Sequence, residues 1–238
     1  MPSALQEREF QLAQAGIRVA VEGRLSAAIT SMAERGYSDP RGFRNAVIGI
    51  TQLMVREYGQ AAGEFAAEWY NDVRLSEGVR GNFTAAAAVQ SFDEAIDQTV
   101  RRSVASLFTD APDLSEVIRA VTSKAAQYTV DGARNTVRSN AIRDPQASGW
   151  KRIAHGETCD FCLMLVGRGG VYKRETVTFK SHAGCNCTAA PSWDPDASEV
   201  PTIAYRASSR RGSSTAAVRA WIAEHRSELD DLRASLST

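Results

Sequence analysis

The sequence predicts a mainly α protein in three parts: a long-helix N-terminal body, a small irregular α+β module stapled by metal, and a C-terminal helix. Three observations carry this. Apolar residues recur at helical spacing through most of residues 3–143. The period is lost from residue 146, where Gly and turn residues accumulate and all four Cys fall between positions 159 and 187. Helical spacing then returns after residue 213. The expected parts are therefore 1–145, the body; 146–195, the Cys/His module; and 196–238, a linker with a helix.

The first helix is expected over 3–35. Ser3 is its N-cap, Leu5, Phe10, Leu12, Ile17, Val21, Leu25, Ile29 and Met32 form its stripe, and Gly36 ends it. Gly16 and Gly23 each lower helix propensity by about 1 kcal/mol relative to Ala, which points to close helix packing at those positions. Residues 37–42 (YSDPRG) read as a turn, and a second helix is expected over 43–72 with Val47, Ile50, Met54, Tyr58, Phe65 and Trp69 as its stripe. A loop over 75–82 leads to a short helical piece at 85–89. Ser91 and Glu94 have the spacing of a capping box for a helix running to about Phe108. Asp113 or Ser115 caps the next helix, which Asp144-Pro145 ends. In the module, Tyr172 and 177–179 read as short strands. Ser213 or Ser214 opens a single last helix with Val218, Trp221, Ile222, Leu229 and Leu232 on one face.

Composition bounds the function. The chain has 238 residues, 43% hydrophobic and 24% charged, which excludes a wholly disordered or collagen-like chain. Basic and acidic residues tie at 28 each, and this neutrality disfavours a protein that coats DNA phosphate. The N-terminal MPSALQEREF places charges where a leader needs an apolar core. No uncharged apolar stretch of about 18 residues is present, so no membrane anchor is expected and the chain is expected to fold in a cytoplasm.

The chemistry concentrates in Cys159-x-x-Cys162 and His182-x-x-Cys185-x-Cys187. Two groups of soft ligands about twenty residues apart have the interval of a structural zinc site, which closes a tetrahedron from two sides and staples a segment with little core of its own. Five candidates compete for four places. Cys185 and Cys187 would point to opposite faces if they lay on a strand. One of them would then be a buried thiol and His182 the fourth ligand; four Cys is the rival set. A redox CxxC is disfavoured because that motif sits at a helix N-terminus after a strand, a context the sequence does not display. Disulfides in a mature particle are a further alternative.

The run WKRIAHGETCDFCLMLVGRGGVY over 150–172, then HAGCNC over 182–187, then PSWD over 191–194, resembles the minor capsid proteins of tailed phages that carry a phage Mu protein F-like (MuF) domain, those of actinobacterial phages above all. The likeness covers roughly residues 130–195, and its specificity lies in the order W…CxxC…G-x-Y…HxxCxC…W. The Arg-rich composition, with only four Lys among the 28 cations, agrees. The resemblance implies a low-copy structural protein of the virion, inside the phage head and associated with the portal protein or the major capsid protein. It implies a part in head assembly and in DNA packaging or ejection, with packaged DNA as a further contact. The metal at the Cys/His motif is inferred from its chemistry, not from the family.

Two other classes compete. A zinc-knuckle module could bind single-stranded nucleic acid through Phe161 and Tyr172, although these residues read better as a miniature core beside the metal. A hydrolase or toxin-like domain could use His155 and Glu157. No G-x-S-x-G elbow is present and no nucleophile pairs with His155 or His225, so no enzymatic turnover is expected. Gly167-x-Gly169-Gly170 lacks the Lys-Ser/Thr of a phosphate loop and reads as a tight turn. The basic stretch SSRRGSS over 208–214 reads as a linker.

Overall fold

The computed structural model describes residues 2–36, 39–154, 158–167, 170–173, 179, 181, 184–185, 187–200 and 213–235. The element order is α1 (Ala4–Glu34), α2 (Pro40–Ser76), α3 (Asp93–Val104), a 3-10 turn (Ala105–Phe108), α4 (Leu114–Arg143), β1 (Gly149–Ile153), α5 (Asp160–Val166), β2 (Thr188–Ser192), α6 (Ser213–Glu224) and α7 (Arg226–Ser235). The molecule is mainly helical, as the periodicity implies.

The caps show why the long helices start and stop where they do. Ser3 and Gln6 form a full capping box on α1, the Gln6 N–H donating to Ser3 Oγ at 3.2 Å and the Ser3 N–H to Gln6 Oε1 at 2.9 Å. Gly36 follows with φ +90°, a value that favours glycine. Helix α2 begins three residues before the expected start. Asp39 accepts from the Arg41 N–H at 3.0 Å and Pro40 occupies the first turn, where its missing N–H is harmless. At the other end α2 runs on through Leu75 and Ser76 before the turn at Gly78. Asp113 caps α4 by accepting from the N–H groups of Ser115 and Glu116.

Two local expectations fail. Residues 85–89 are irregular, not helical. Their Ala content favours helix, but tertiary bonds override it. The Ala85 N–H donates to Asn71 Oδ1 at 2.8 Å, Asn140 exchanges bonds with both the N–H and the carbonyl of Ala86, and the Ala88 N–H donates to Thr136 Oγ1 at 3.0 Å. Side chains of α2 and α4 thus strap this segment into the groove between them. The capping box at Ser91 does not form either: α3 starts at Asp93 with Phe92 as an N-cap whose side chain offers no acceptor, and Ser91 Oγ accepts from the Asp93 N–H at 3.3 Å.

Helices α1, α2 and α4 pack together, and α3 lies on α2 and α4. Two apolar clusters result. One joins Val21, Leu25 and Ile29 of α1 to Val47 and Val55 of α2, Ile96 and Val100 of α3, and Val117 and Val121 of α4. The other starts from Phe10, Tyr70, Ala133 and Val137 and continues without a break into Trp150, Cys162, Cys185, Cys187, Ala189 and Ala190. The cysteine segment is therefore built onto one end of the helical body.

The α2–α4 contact depends on glycine. A Cβ at Gly132 would lie 2.9 Å from the Gly59 carbonyl oxygen. Gly16 and Gly23 behave otherwise: a Cβ at either meets nothing within 4 Å among the described residues, so they do not mark close packing within the chain. Opposite effects are expected. Gly132→Ala should destabilise by about 1–3 kcal/mol through overpacking, whereas Gly16→Ala should stabilise by about 1 kcal/mol through helix propensity. Urea unfolding of the two variants reads both signs, and a Gly132→Ala protein as stable as the parent would refute the close approach.

Strands β1 and β2 are antiparallel, from Gly149 opposite Ser192 to Ile153 opposite Thr188. Tyr172 bridges Trp150 on the other edge of β1, as its strand character suggests. Phe179 lies outside any strand, and 177–178 fall outside the described residues. Gly149 is required here, since a Cβ on it would sit 2.6 Å from the Tyr172 carbonyl oxygen at φ +142°. The C-terminal segment forms two helices with a break at His225, where one was expected. His225 Nδ1 lies 3.0 Å from the Trp221 carbonyl at that break.

Candidate metal centre

The site grows out of β1, α5 and the run leading into β2. Cys159 is the N-cap of α5 and is exposed; Cys162 lies one turn on, within the helix, and is buried. Cys185 and Cys187 precede β2 and are both buried. Their sulfurs converge. Cys185 Sγ and Cys187 Sγ are 2.8 Å apart, and each lies 3.3 Å from Cys162 Sγ. The condition for Cys185 and Cys187 to face opposite ways is not met: neither lies on a strand, and the alternation rule does not apply to them. Cys159 hydrogen-bonds Cys162. His182 lies outside the described residues, as do His155 and Glu157. No disulfide joins the four cysteines. The CxxC does follow a strand and open a helix, a context that could not be read beforehand because β1 was not foreseen.

Packed thiols share protons. Hydrogen bonds from Cys162 and Cys187 hold Cys185 far below the ordinary thiol range, with the Arg134 charge adding to the effect. Cys162 is driven up by its bonds to Cys159, Cys185 and Cys187 and by burial. At Cys187 the bond from Cys162 pulls down, but the bond to Cys185 and burial outweigh it and push the thiol up to about 11.

Two buried arginines bond the cysteine segment, one through its carbonyls and one through a sulfur, and the sequence reading assigned neither to the site. Arg134, on α4 and 2% exposed, donates from Nε and Nη2 to the Cys187 carbonyl at 3.0 and 2.7 Å and from Nη2 to the Cys185 carbonyl at 2.8 Å. Asp131 is its counter-ion at 2.8 Å and also accepts from Ser181 Oγ. Burial raises the Asp131 carboxyl above its ordinary value, against the pull of Arg134. Arg152, on β1, donates from Nη1 to Cys187 Sγ at 2.8 Å. Both guanidinium groups lie over the Phe179 ring, at 5.2 and 3.8 Å from its centroid. From α1, Gln14 Nε2 donates to Thr188 Oγ1 at 2.9 Å. Arg134 did leave a signal: it falls on the stripe of Val130, Val137 and Ala141, where a charge needs a buried partner.

Aromatic residues close the site, as expected for Tyr172. Its ring stacks on Trp150 with centroids 4.4 Å apart, and Phe161 packs at the cluster edge. The C-terminal helices close it from outside. Leu229 is buried against Leu163, Met164 and Leu165 of α5, with Ile222 and Leu232 beside them. Asp160, inside the CxxC, accepts from Arg226 at 2.9 Å and also from Arg233.

The donor set suits a soft divalent ion. Cys162, Cys185 and Cys187 bring their ligand atoms within 4.8 Å of one another. A tetrahedral zinc with Zn–S bonds of about 2.3 Å sets its sulfurs about 3.8 Å apart, so loading needs these three to spread by less than about 1 Å. The exposed Cys159 thiol adjoins that triad through its bond to Cys162.

A family model described as VG15 protein matches residues 1–208. No curated protein and no solved structure matches the chain. Helices α6 and α7, which cover α5, lie beyond the matched residues.

Proposed function

The chain belongs to the VG15 protein family, a family of phage proteins, and from that premise we propose that it is a minor capsid protein of the MuF-like kind, placed inside the phage head. It contacts the portal or the inner capsid and serves head assembly and genome delivery as a structural part, without turnover. One observation supports this most. Of the residues that carry the MuF-like order, Trp150, Cys162, Tyr172, Cys185, Cys187 and Trp193 pack into one cluster on the end of the helical body. Their order in the chain thus reflects one built module. The near-neutral charge suits protein partners better than bulk DNA.

In this reading the module holds a structural zinc through Cys162, Cys185 and Cys187, with Cys159 as fourth ligand and His182 as its competitor. A zinc ion held by these residues would staple the module and would supply no chemistry on a substrate. The buried arginines hold the carbonyls and one sulfur, and the aromatic wall keeps water out.

The deciding experiment is an asymmetric cryo-EM reconstruction of procapsid and virion, with mass spectrometry of purified particles. Density for this chain at the inner face of the portal vertex, at low copy number, is the expected result. A particle that lacks the chain, or carries it only on the outer surface, overturns the reading.

A further inference from the structure

Strand β1 places a guanidinium group against a sulfur. Arg152 is 5% exposed, donates from Nη1 to Cys187 Sγ at 2.8 Å, and lies flat enough on Phe179 to bring its carbon within 3.8 Å of the ring centroid. We propose that Arg152 is a positioning residue for the metal centre: its N–H···S bond orients Cys187 toward the ion and offsets the negative charge that the thiolates bring. This rests on the metal reading above.

The argument is one of charge in a dry site. A divalent ion with three thiolates carries one net negative charge, and with four it carries two. Burying such charge needs a compensating partner nearby. Among the described residues three guanidinium groups are close, and Arg18 on α1 donates from Nη1 to the Cys185 carbonyl at 3.4 Å. Arg134 spends its Nε and Nη2 donors on the Cys185 and Cys187 carbonyls and has Asp131 as counter-ion. Arg152 is the arginine that addresses sulfur itself. Its backbone is held, because Arg152 pairs with Ala189 across the sheet, two residues from Cys187. Phe179 fixes the plane of the group and shields it from water. Partners of metal ligands usually contribute about 10- to 100-fold to metal affinity.

The test uses the full chain with zinc and cobalt(II) as probes, a competing chelator for affinity, and the cobalt absorption spectrum. Arg152→Met should weaken zinc binding by about 10- to 100-fold. The sulfur-to-cobalt charge-transfer band should keep its intensity, since the number of thiolates is unchanged. It should move to lower energy, because the sulfur lone pair has lost a donor. Arg152→Lys keeps the buried charge and a donor but loses the planar fork; it should lie between parent and Met variant, and it reads the effect if the Met variant fails to fold. Parental affinity and band position in both variants overturn the proposal. So does a band weakened by one sulfur, which would make Arg152 a scaffold only. If the parent itself takes up neither ion, the metal reading fails first, before any variant is compared.

Discussion

Replacing Asp144 by alanine is expected to remove about 3–5 kcal/mol of stability, a large part of what a domain of this size has. Asp144 follows the last turn of α4 and is 2% exposed. Its Oδ2 accepts from Arg74 Nε at 3.0 Å, Tyr70 Oη at 3.2 Å and Trp193 Nε1 at 3.0 Å, and its Oδ1 from the Gln146 N–H at 3.1 Å. One carboxylate thus joins α2, the end of α4 and the segment after β2. Alanine leaves the Arg74 guanidinium buried without its counter-charge and strands two further donors. The Tyr70 hydroxyl cannot compensate by ionising, since burial and the nearby carboxylate drive its pKa well above the ordinary value. Asp144→Asn keeps an acceptor and should cost less than Asp144→Ala. Urea unfolding followed by tryptophan fluorescence and far-UV circular dichroism checks both. A loss below about 1 kcal/mol, the scale of an exposed ion pair, would show that the cluster does not bind module to body.

The same residue shows where sequence reading stopped. Asp144-Pro145 is legible as a helix stop, and it does end α4, but nothing local says that its carboxylate receives Tyr70, Arg74 and Trp193 from 49 to 74 positions away. The long helices were legible because their caps and stripes are local: Ser3, Gly36 and Asp113 act within a few residues. The strap at 85–89 was not, because Asn71, Thr136 and Asn140 decide it from α2 and α4. Likewise, β1 and β2 read poorly since each is buried nearly throughout and shows no polar alternation. The cysteines were found by spacing alone, but their relative facing depended on whether Cys185 and Cys187 lay on a strand, and they do not. The arginine pair around them was missed because a charge inside an apolar run looks local to a surface until its partner is known.

The module has little to stand on by itself. It offers a two-stranded sheet and the short α5, and its apolar side chains belong to a cluster whose other half comes from α1, α2 and α4. Arg134 and Gln14 reach into it from α4 and α1, and α7 covers it through Leu229 and the two arginines on Asp160. Stability of the sulfur site and of that end of the body are therefore linked, so a change at either should be felt at the other.

Removing metal from the purified chain with a strong chelator should expose that link. An ion present at about 1,000 times its dissociation constant stabilises the folded chain by about 4 kcal/mol. At about 2–4 °C per kcal/mol for a chain of this length, the melting temperature should fall by about 8–16 °C. The loss should be uneven. The cluster around Val21, Val47 and Val121 contains no residue of the module, so most helical signal should survive chelation. The near-ultraviolet signal of Trp150, stacked on Tyr172 beside the sulfurs, should collapse. Acid should mimic the chelator, because the ion binds thiolates and protons compete for them. Stability from metal is thus present at neutral pH and lost as pH falls through the range in which the bound sulfurs reprotonate. Readdition of zinc at neutral pH should restore both signals. Zinc below one equivalent in the purified chain, together with a melting temperature indifferent to chelator, would mean that Cys162, Cys185 and Cys187 serve as a buried thiol cluster and that packing alone holds the module.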